Sequence, residues 1–149
     1  MSAELEVQNA ILAVLQRDAP LAALLAEHPY GGSPTLPAIY DTVPQSDEAE
    51  DESKFPYVVI GEDTSVQFDT DDVDGQEHTV TLHVFDRREG RKRAKQVIGA
   101  LYDALHNASL SVTGHDAVFC FFDFSGAVPD PDPLTQHEVI RFRIVTQEA

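Results

Sequence analysis

The sequence VTLHVFDRREGRKRAKQVIGALYDALHNASL, residues 80–110, decides the fold of this chain. In its first part polar and apolar residues alternate, which predicts a strand over Thr79–Phe85 with Val80, Leu82 and Val84 on one face. In its last part apolar residues recur three and four positions apart, which predicts an amphipathic helix over Arg91–His106. Six of the ten Lys and Arg residues lie at the boundary between the two elements. Because the chain concentrates its few cations there, the stretch indicates docking on a partner, and hence assembly.

The composition predicts a single domain over residues 1–149. Apolar residues make up 42% of the 149, enough for a core. The net charge of −16 opposes nucleic-acid binding by the surface as a whole, because phosphates would be repelled. The single cysteine, Cys120, excludes a disulfide framework and a multi-cysteine zinc site, and its apolar neighbours predict a buried thiol.

Targeting signals are not found in the sequence. No run approaches the roughly 20 apolar residues that span a bilayer. The chain starts with the acidic residues Glu4 and Glu6 rather than with a basic segment, which argues against a signal peptide. We therefore expect a protein made and used in a cytoplasm, or exported only inside a particle, without a membrane partner.

The order of predicted elements indicates an α+β fold. Helical spacing predicts an N-terminal helix over Ala3–Arg17, and Asp18-Ala19-Pro20 starts a short second helix. Extended segments are predicted over residues 36–43, 57–60, 79–85, 117–124 and 139–145. Helices followed by strands, a helix and more strands favour a mainly antiparallel sheet. We expect the N-terminal helix and the central amphipathic helix to pack on one face of it.

The strand predicted over Ala117–Phe124 is apolar on both faces. Val118, Cys120, Phe122 and Phe124 are expected on one face, and the second is expected to carry Phe119 and Phe121. A sheet covered on one side only would show polar residues on its second face. Both faces should therefore be covered, by a helix or by another subunit.

Two acidic segments are predicted to be flexible loops, near residues 46–54 and 63–77. The first contains DEAEDES, residues 47–53, and is expected to be solvated. The second holds Asp69, Asp71, Asp72 and Asp74, and its length suggests a projecting arm that reaches a neighbouring molecule.

The second acidic segment is rich in aspartate, so it can be compared with a calcium-binding EF-hand loop. Aligning Gly75 with the glycine of an EF-hand puts Thr70 at the first ligand position and Thr81 at the last, so the bidentate glutamate is missing. We therefore predict no metal site. A metal-dependent hydrolase or a small-ligand-binding α+β module that uses this Asp-rich loop stays open as an alternative.

No catalytic motif appears elsewhere. The six histidines form no metal-binding pattern, and His78 and His83 should lie on opposite faces of one strand. Asp130 and Asp132 could form a carboxylate pair, but their flanking prolines are more typical of a rigid turn. We predict that the protein is not an enzyme and has no catalytic or cofactor-binding residue.

The cationic boundary has two interpretations. Cations in the first turns of a helix oppose its dipole by a few tenths of a kcal/mol each, so an anion should offset them. That anion is either local, as in pairs with Asp86 and Glu89, or belongs to an acidic loop of a second copy. Repeated contacts of the second kind close into a ring. The residues predicted to form the partner interface are Arg87, Arg88, Arg91, Lys92, Arg93, Lys95, Asp69, Asp71, Asp72, Asp74, Phe119 and Phe121.

Several short motifs, taken in order, resemble the tail-completion, or tail-terminator, family of long-tailed bacteriophages, prophages and gene transfer agents. Each motif is weak, but together they cover nearly the whole chain with matching spacing. They are DAPL at 18–21 after the opening helix, IYD at 39–41, VPQ at 43–45, FPYVVIG at 55–61, TLHVF at 81–85, Gly90, ALH at 104–106, DPD at 130–132 and RFR at 141–143. The sequence departs from the pattern in the acidic DEAEDES segment and at Pro133, where a glycine is expected.

The resemblance implies a structural virion protein. Members are small α+β subunits that form a hexameric ring at the head-proximal end of the tail. The ring ends polymerisation of the tail tube protein and presents a surface to the head-side connector or stopper protein. It implies assembly in the bacterial host cytoplasm and passage of DNA through the lumen without specific binding, and it offers no catalytic residue to carry over.

Overall fold

The computed structural model describes residues 2–27, 36–43, 52–88 and 90–149. Within these residues two helices are followed by three strands, a third helix and two more strands, with a short 3₁₀ turn at Glu52–Lys54. The helices are α1 (Glu4–Gln16), α2 (Ala19–Leu24) and α3 (Lys92–Leu105). The strands are β1 (Ile39–Tyr40), β2 (Tyr57–Gln67), β3 (Gly75–Asp86), β4 (His115–Val128) and β5 (Gln136–Glu148).

The strands form one sheet in the order β1-β2-β3-β5-β4. Every neighbouring pair is antiparallel except β1 and β2, which run parallel. The predicted α+β class with a mainly antiparallel sheet is therefore confirmed. The long pairs β2–β3, β3–β5 and β5–β4 make up almost the whole sheet, while β1 adds only two residues at one edge.

Helices α1 and α3 pack on the same face of the sheet, as predicted. Val80, Leu82 and Val84 of β3 are almost fully buried beneath them, as are Phe142 and Ile144 of β5. The helical stripe that the sequence showed supplies the opposing surface. The buried residues of the two helices are Val7, Ala10, Ile11 and Leu15 of α1 and Ala94, Val97, Ala100, Leu101 and Leu105 of α3.

The short helix α2 begins as predicted. The Asp18 side chain accepts a hydrogen bond from the Leu21 amide at 3.1 Å, which caps the first turn. Pro20 occupies the first turn, where no amide donor is needed. No helix in the described part of the chain is long and apolar enough to cross a membrane.

The predicted acidic loop over 63–77 is wrong in extent. Strand β2 runs to Gln67 and β3 begins at Gly75, so only residues 68–74 connect them. Polar residues such as Thr64 and Ser65 pair with β3 because the hydrogen-bonded ladder uses the backbone, whatever the side chains are. Most of the other predicted loop, residues 46–54, lies outside the described residues.

Strand β4 differs from the predicted alternation because it contains two β-bulges. The register shifts between Ala117 and Phe119 and again between Phe122 and Phe124. Each bulge adds one residue and reverses the side on which later side chains point. Phe124 consequently lies on the face of Phe119 and Phe121, not with Cys120 as predicted.

Candidate functional site

The face of the sheet opposite the helices, called here the outer face, is covered by no helix within the described ranges. On β4 it carries three phenylalanines, and the rings of Phe119 and Phe121 stack with centroids 4.6 Å apart. On β5 it carries two arginines, and the guanidinium group of each lies over one of these rings. The guanidinium carbon of Arg143 lies 5.7 Å from the Phe119 centroid, and that of Arg141 lies 5.0 Å from the Phe124 centroid. We call these five residues the arginine–aromatic patch.

The patch exposes both apolar and cationic surface. Phe121 is 41% exposed and Phe124 is 43% exposed, and the Arg143 side chain is 47% exposed. Arg141 donates from Nε to the Thr81 hydroxyl at 3.2 Å, which fixes its orientation over the ring. Exposed aromatic rings grouped with cations are characteristic of partner-binding surfaces.

Among the predicted interface cations, Arg93 and Arg87 are bound inside the subunit. Arg93 on α3 makes a two-pronged ion pair with Asp86, a fully buried carboxylate at the end of β3. Arg87 donates to Asp132 at 2.7 Å and lies over the Phe55 ring. The local pairing with Asp86 is confirmed for Arg93, whereas Glu89 lies outside the described residues.

Arg91 and Lys95 share a second buried carboxylate. Lys95 Nζ lies 2.9 Å from Oε1 of Glu138, whose side chain is 2% exposed, and Arg91 Nη1 lies 3.7 Å from the same oxygen. The carboxylates of Asp86 and Glu138 therefore stand beside the first turn of α3, where negative charge is favoured. Arg88 and Lys92 are exposed. An interface role for the cluster stays a prediction.

The tip of the β2–β3 hairpin contains the four predicted aspartates. Asp69 is structural: its Oδ1 accepts from the Gly75 amide at 2.9 Å, and this hydrogen bond lowers the pKa of its carboxyl group. Asp71, Asp72 and Asp74 are exposed. No group of three or more His, Cys, Asp or Glu side chains in the described ranges is arranged to hold a metal ion.

The predicted opposite placement of His78 and His83 is confirmed. His83 lies on the outer face, where its Nδ1 is 2.8 Å from Nε2 of His137 and its Nε2 is 3.0 Å from a Glu62 oxygen. The His137 ring stacks on Phe85 at 4.3 Å between centroids. Burial, followed by the neighbouring His83, lowers the pKa of His137. The sequence did not predict the contact between His83 and His137, because the two histidines come from different strands, β3 and β5.

His78 lies on the helix-covered face and is almost fully buried. Its ring nitrogens meet Ser65 Oγ at 2.8 Å and Thr146 Oγ1 at 2.9 Å. Neither ring nitrogen is bonded to a carboxylate that would orient it as a general base, so the Ser65–His78 pair lacks the third member of a catalytic triad. The adjoining cavity of about 380 Å³ is lined mainly by polar groups, unlike the apolar pockets that hold small ligands.

Acidification from pH 6.5 to 5.5 is expected to lower the free energy of unfolding through His78, by at most about 1 kcal/mol. Burial lowers the pKa of His78 below its ordinary value of 6.5. The folded protein therefore keeps the ring neutral while the unfolded chain takes up a proton. The contribution is present above pH 6.5 and is lost as the pH falls. Urea titrations at both pH values measure it, and an equal fall in a His78→Gln variant would contradict it.

Two further sequence expectations can be compared with the structure. The Cys120 thiol is buried, as predicted, and burial raises its pKa to about 12. Asp132 accepts from the Leu134 amide, which lowers the pKa of its carboxyl group, and it also binds Arg87. Asp130 accepts from the Asp132 amide at 2.9 Å. The two carboxylates thus shape a turn rather than share a proton.

Comparison with known proteins identifies the family. A model of the tail completion protein gp17 family matches residues 9–147. The chain belongs to that family. A relative within it, the tail completion protein gp17 of Bacillus phage SPP1, is 29% identical over 89 residues. That match covers 60% of this chain and 66% of the relative, just under two thirds of the relative's length.

A solved structure shares this fold over nearly the full length of the chain. A chain from the virion of a native gene transfer agent (GTA) particle superimposes with a TM-score of 0.81 at 25% identity, covering 98% of each chain. The resemblance seen in the sequence is confirmed. As a member of the tail completion family, the protein has a structural role of the kind found in phage particles. A structural family is consistent with a protein that is not an enzyme.

Proposed function

We propose that the protein forms a hexameric ring at the head-proximal end of the tail, where it terminates the tail tube and joins it to the head-side connector. The observation that carries this proposal is the match over 98% of both chains to a chain of a gene transfer agent virion. The family match over residues 9–147 supports it. A subunit that caps a tube needs surfaces for its own copies, for the tube protein and for the connector or stopper protein.

The exposed surfaces of the subunit fit such a role. The outer face presents Phe121 and Phe124 without a covering helix in the described ranges, and burial between subunits would remove them from water. The hairpin tip presents Asp71 and Asp72. The other predicted interface residues, including Arg88 and Lys92, belong to the proposal as candidates for the remaining contacts.

The net charge suits a conduit for DNA. With a net charge of −16, the subunit should repel phosphates from most of its surface. DNA would then pass through the lumen without specific binding, because few phosphate contacts would have to break as it moves.

Native mass spectrometry and negative-stain microscopy test the ring. We expect hexamers, formed by the protein alone or on addition of assembled tail tubes, and we expect the rings to lie at one end of each tube. Adding the protein while the tail tube protein polymerises should limit the length of the tubes. A protein that stays monomeric at every concentration and salt, with tubes present, would contradict the proposal.

A divalent-cation titration separates this function from a metal-dependent hydrolase. A structural subunit without a metal site should melt at the same temperature with and without Ca²⁺, Mg²⁺ or Zn²⁺. Specific stabilisation by one of them would favour the hydrolase instead, since a ligand that binds only the folded state raises the melting temperature.

A further inference from the structure

We propose that the arginine–aromatic patch of one subunit receives the hairpin tip, residues 66–74, of a second copy of this chain. The inference rests on the proposed ring and names the contact that would build it. It replaces the cationic cluster at the start of α3 with a different pair of surfaces.

The patch has cationic and apolar groups that the subunit itself satisfies only in part. Arg141 has no carboxylate within salt-bridge distance among the described residues, and Arg143 has only Glu77, at 3.7 Å. Beside them Phe121 and Phe124 are exposed. An occupant that brings both carboxylates and apolar side chains would match the patch in charge and in hydrophobicity.

The hairpin tip is such an occupant. Asp71, Asp72 and Asp74 are exposed acids, and they lie next to two exposed apolar residues. Val66 is 57% exposed and Phe68 is 46% exposed. Val66 and Phe68 can pack against the rings of the patch while the neighbouring aspartates of the tip pair with its arginines. One contact would then bury apolar surface and form ion pairs.

The tip is also preorganised. The Phe68 amide donates to the Gly75 carbonyl at 2.9 Å, and the Thr70 amide donates to the Val73 carbonyl at 2.9 Å. The Asp69 side chain also accepts a hydrogen bond from the Gly75 amide. A segment that already has its bound shape loses little conformational entropy on docking, which favours affinity.

The two surfaces lie in different parts of the subunit. The tip projects from the end of the sheet where Gly75 pairs with Gln147, whereas Phe121 and Phe124 pair with Arg143 and Arg141 along β4 and β5. A contact between unlike surfaces of identical copies is heterologous, and when the rotation closes it generates a ring.

The cationic cluster at α3 is a weaker candidate for the same occupant. Four of its members already pair inside the subunit, three of them with the buried acids Asp86 and Glu138. Removing those cations would leave buried carboxylates unpaired, at a cost to folding. The patch arginines have no buried acid to lose.

Nucleic acid is a poorer occupant, although aromatic rings and arginines also stack on bases. The patch offers only two cations, the exposed acid Asp123 lies on the same strand, and the chain carries a net charge of −16. Affinity for a phosphate backbone grows with the number of cations that neutralise it. The test therefore includes an oligonucleotide as a competing outcome.

Paired charge reversals test the contact. Asp71→Lys with Asp72→Lys, and separately Arg141→Glu with Arg143→Glu, should each raise the dissociation constant of the ring by at least about tenfold. Combining all four changes should restore part of the affinity, because the charges are then exchanged. Arg17→Glu, the reversal of an exposed cation at the end of α1 and outside all the predicted interface residues, is the control and should change little. Native mass spectrometry with tail tubes present measures each variant.

The outcomes separate the contact from the ring. Melting curves check folding, and the tip variant changes only exposed residues, so it stays informative if the patch variant is unstable. If the variant with Asp71→Lys and Asp72→Lys forms rings as readily as the wild type does, the contact is overturned and the proposed function stays intact. A wild-type protein that forms no ring with tubes would instead overturn the proposed function. Binding of a fluorescent oligonucleotide that needs Arg141 and Arg143, with assembly unaffected, would assign the patch to nucleic acid.

Discussion

Replacing Asp86 with alanine should lower the free energy of unfolding by about 3–5 kcal/mol, the cost of breaking a buried ion pair from one side. Asp86 is fully buried at the end of β3, where both its oxygens accept from the Arg93 guanidinium. It also accepts from the Arg87 amide at 2.8 Å. The substitution removes the acceptor that Asp86 gives to Arg93 and to the Arg87 amide, and with it the ion pair that joins β3 to α3. Urea denaturation at pH 7 measures the loss.

Asp103→Ala is the matched control for this prediction. Asp103 lies exposed on α3, so removing its carboxylate should change stability by no more than about 0.5 kcal/mol. Similar losses for the two variants would mean that Asp86 contributes only as a surface charge does. In that case the first turn of α3 would draw its stability from packing alone.

Phe142→Ala should also lower the free energy of unfolding by about 3–5 kcal/mol. The Phe142 ring is 1% exposed beneath α3 and meets Phe122 edge to face at 6.4 Å between centroids. Truncation loses the transfer of the ring out of water and leaves a cavity. Thermal and urea denaturation of the isolated subunit measure the effect.

Phe121→Ala separates folding from assembly. Because Phe121 is 41% exposed, we expect its truncation to cost the isolated subunit about 1 kcal/mol or less. Its effect should appear instead in ring formation on tail tubes. Equal losses of stability at positions 121 and 142 would show that the outer face is part of the folding core and would weaken its assignment as an interface.

The elements with strong local periodicity could be predicted from the sequence. The stripe of α3 gave both ends of that helix within one residue, and Asp18 with Pro20 marked the start of α2. The alternation of β3 gave its end within one residue but its start four residues late, at Thr79 instead of Gly75. Each of these signals depends on residues a few positions apart. The hairpin was harder, because its polar strands have weak β-propensity and are held by backbone pairing.

The candidate surfaces were predicted only in part. The sequence indicated Phe119 and Phe121 as apolar residues of a second face that needs a cover, but it did not indicate Phe124, because the bulge that turns this ring to the outer face has no clear sequence signal. It also missed the carboxylate of Glu138, which binds Lys95 from a distant strand. The rings under Arg141 and Arg143 come from β4, and the sequence alone does not show that β4 pairs with β5.

The sequence by itself determined the α+β class, the helices on one face and the likeness to tail completion proteins, since all three follow from patterns and motifs along the chain. Only the tertiary structure decided which cations are available to a partner. It pairs four of those at residues 87–95 within the subunit. It also sets Arg141 and Arg143 over exposed rings on the opposite face. The physical reason is that charge depends on composition, whereas the availability of a charge depends on which distant groups folding brings within a few ångströms.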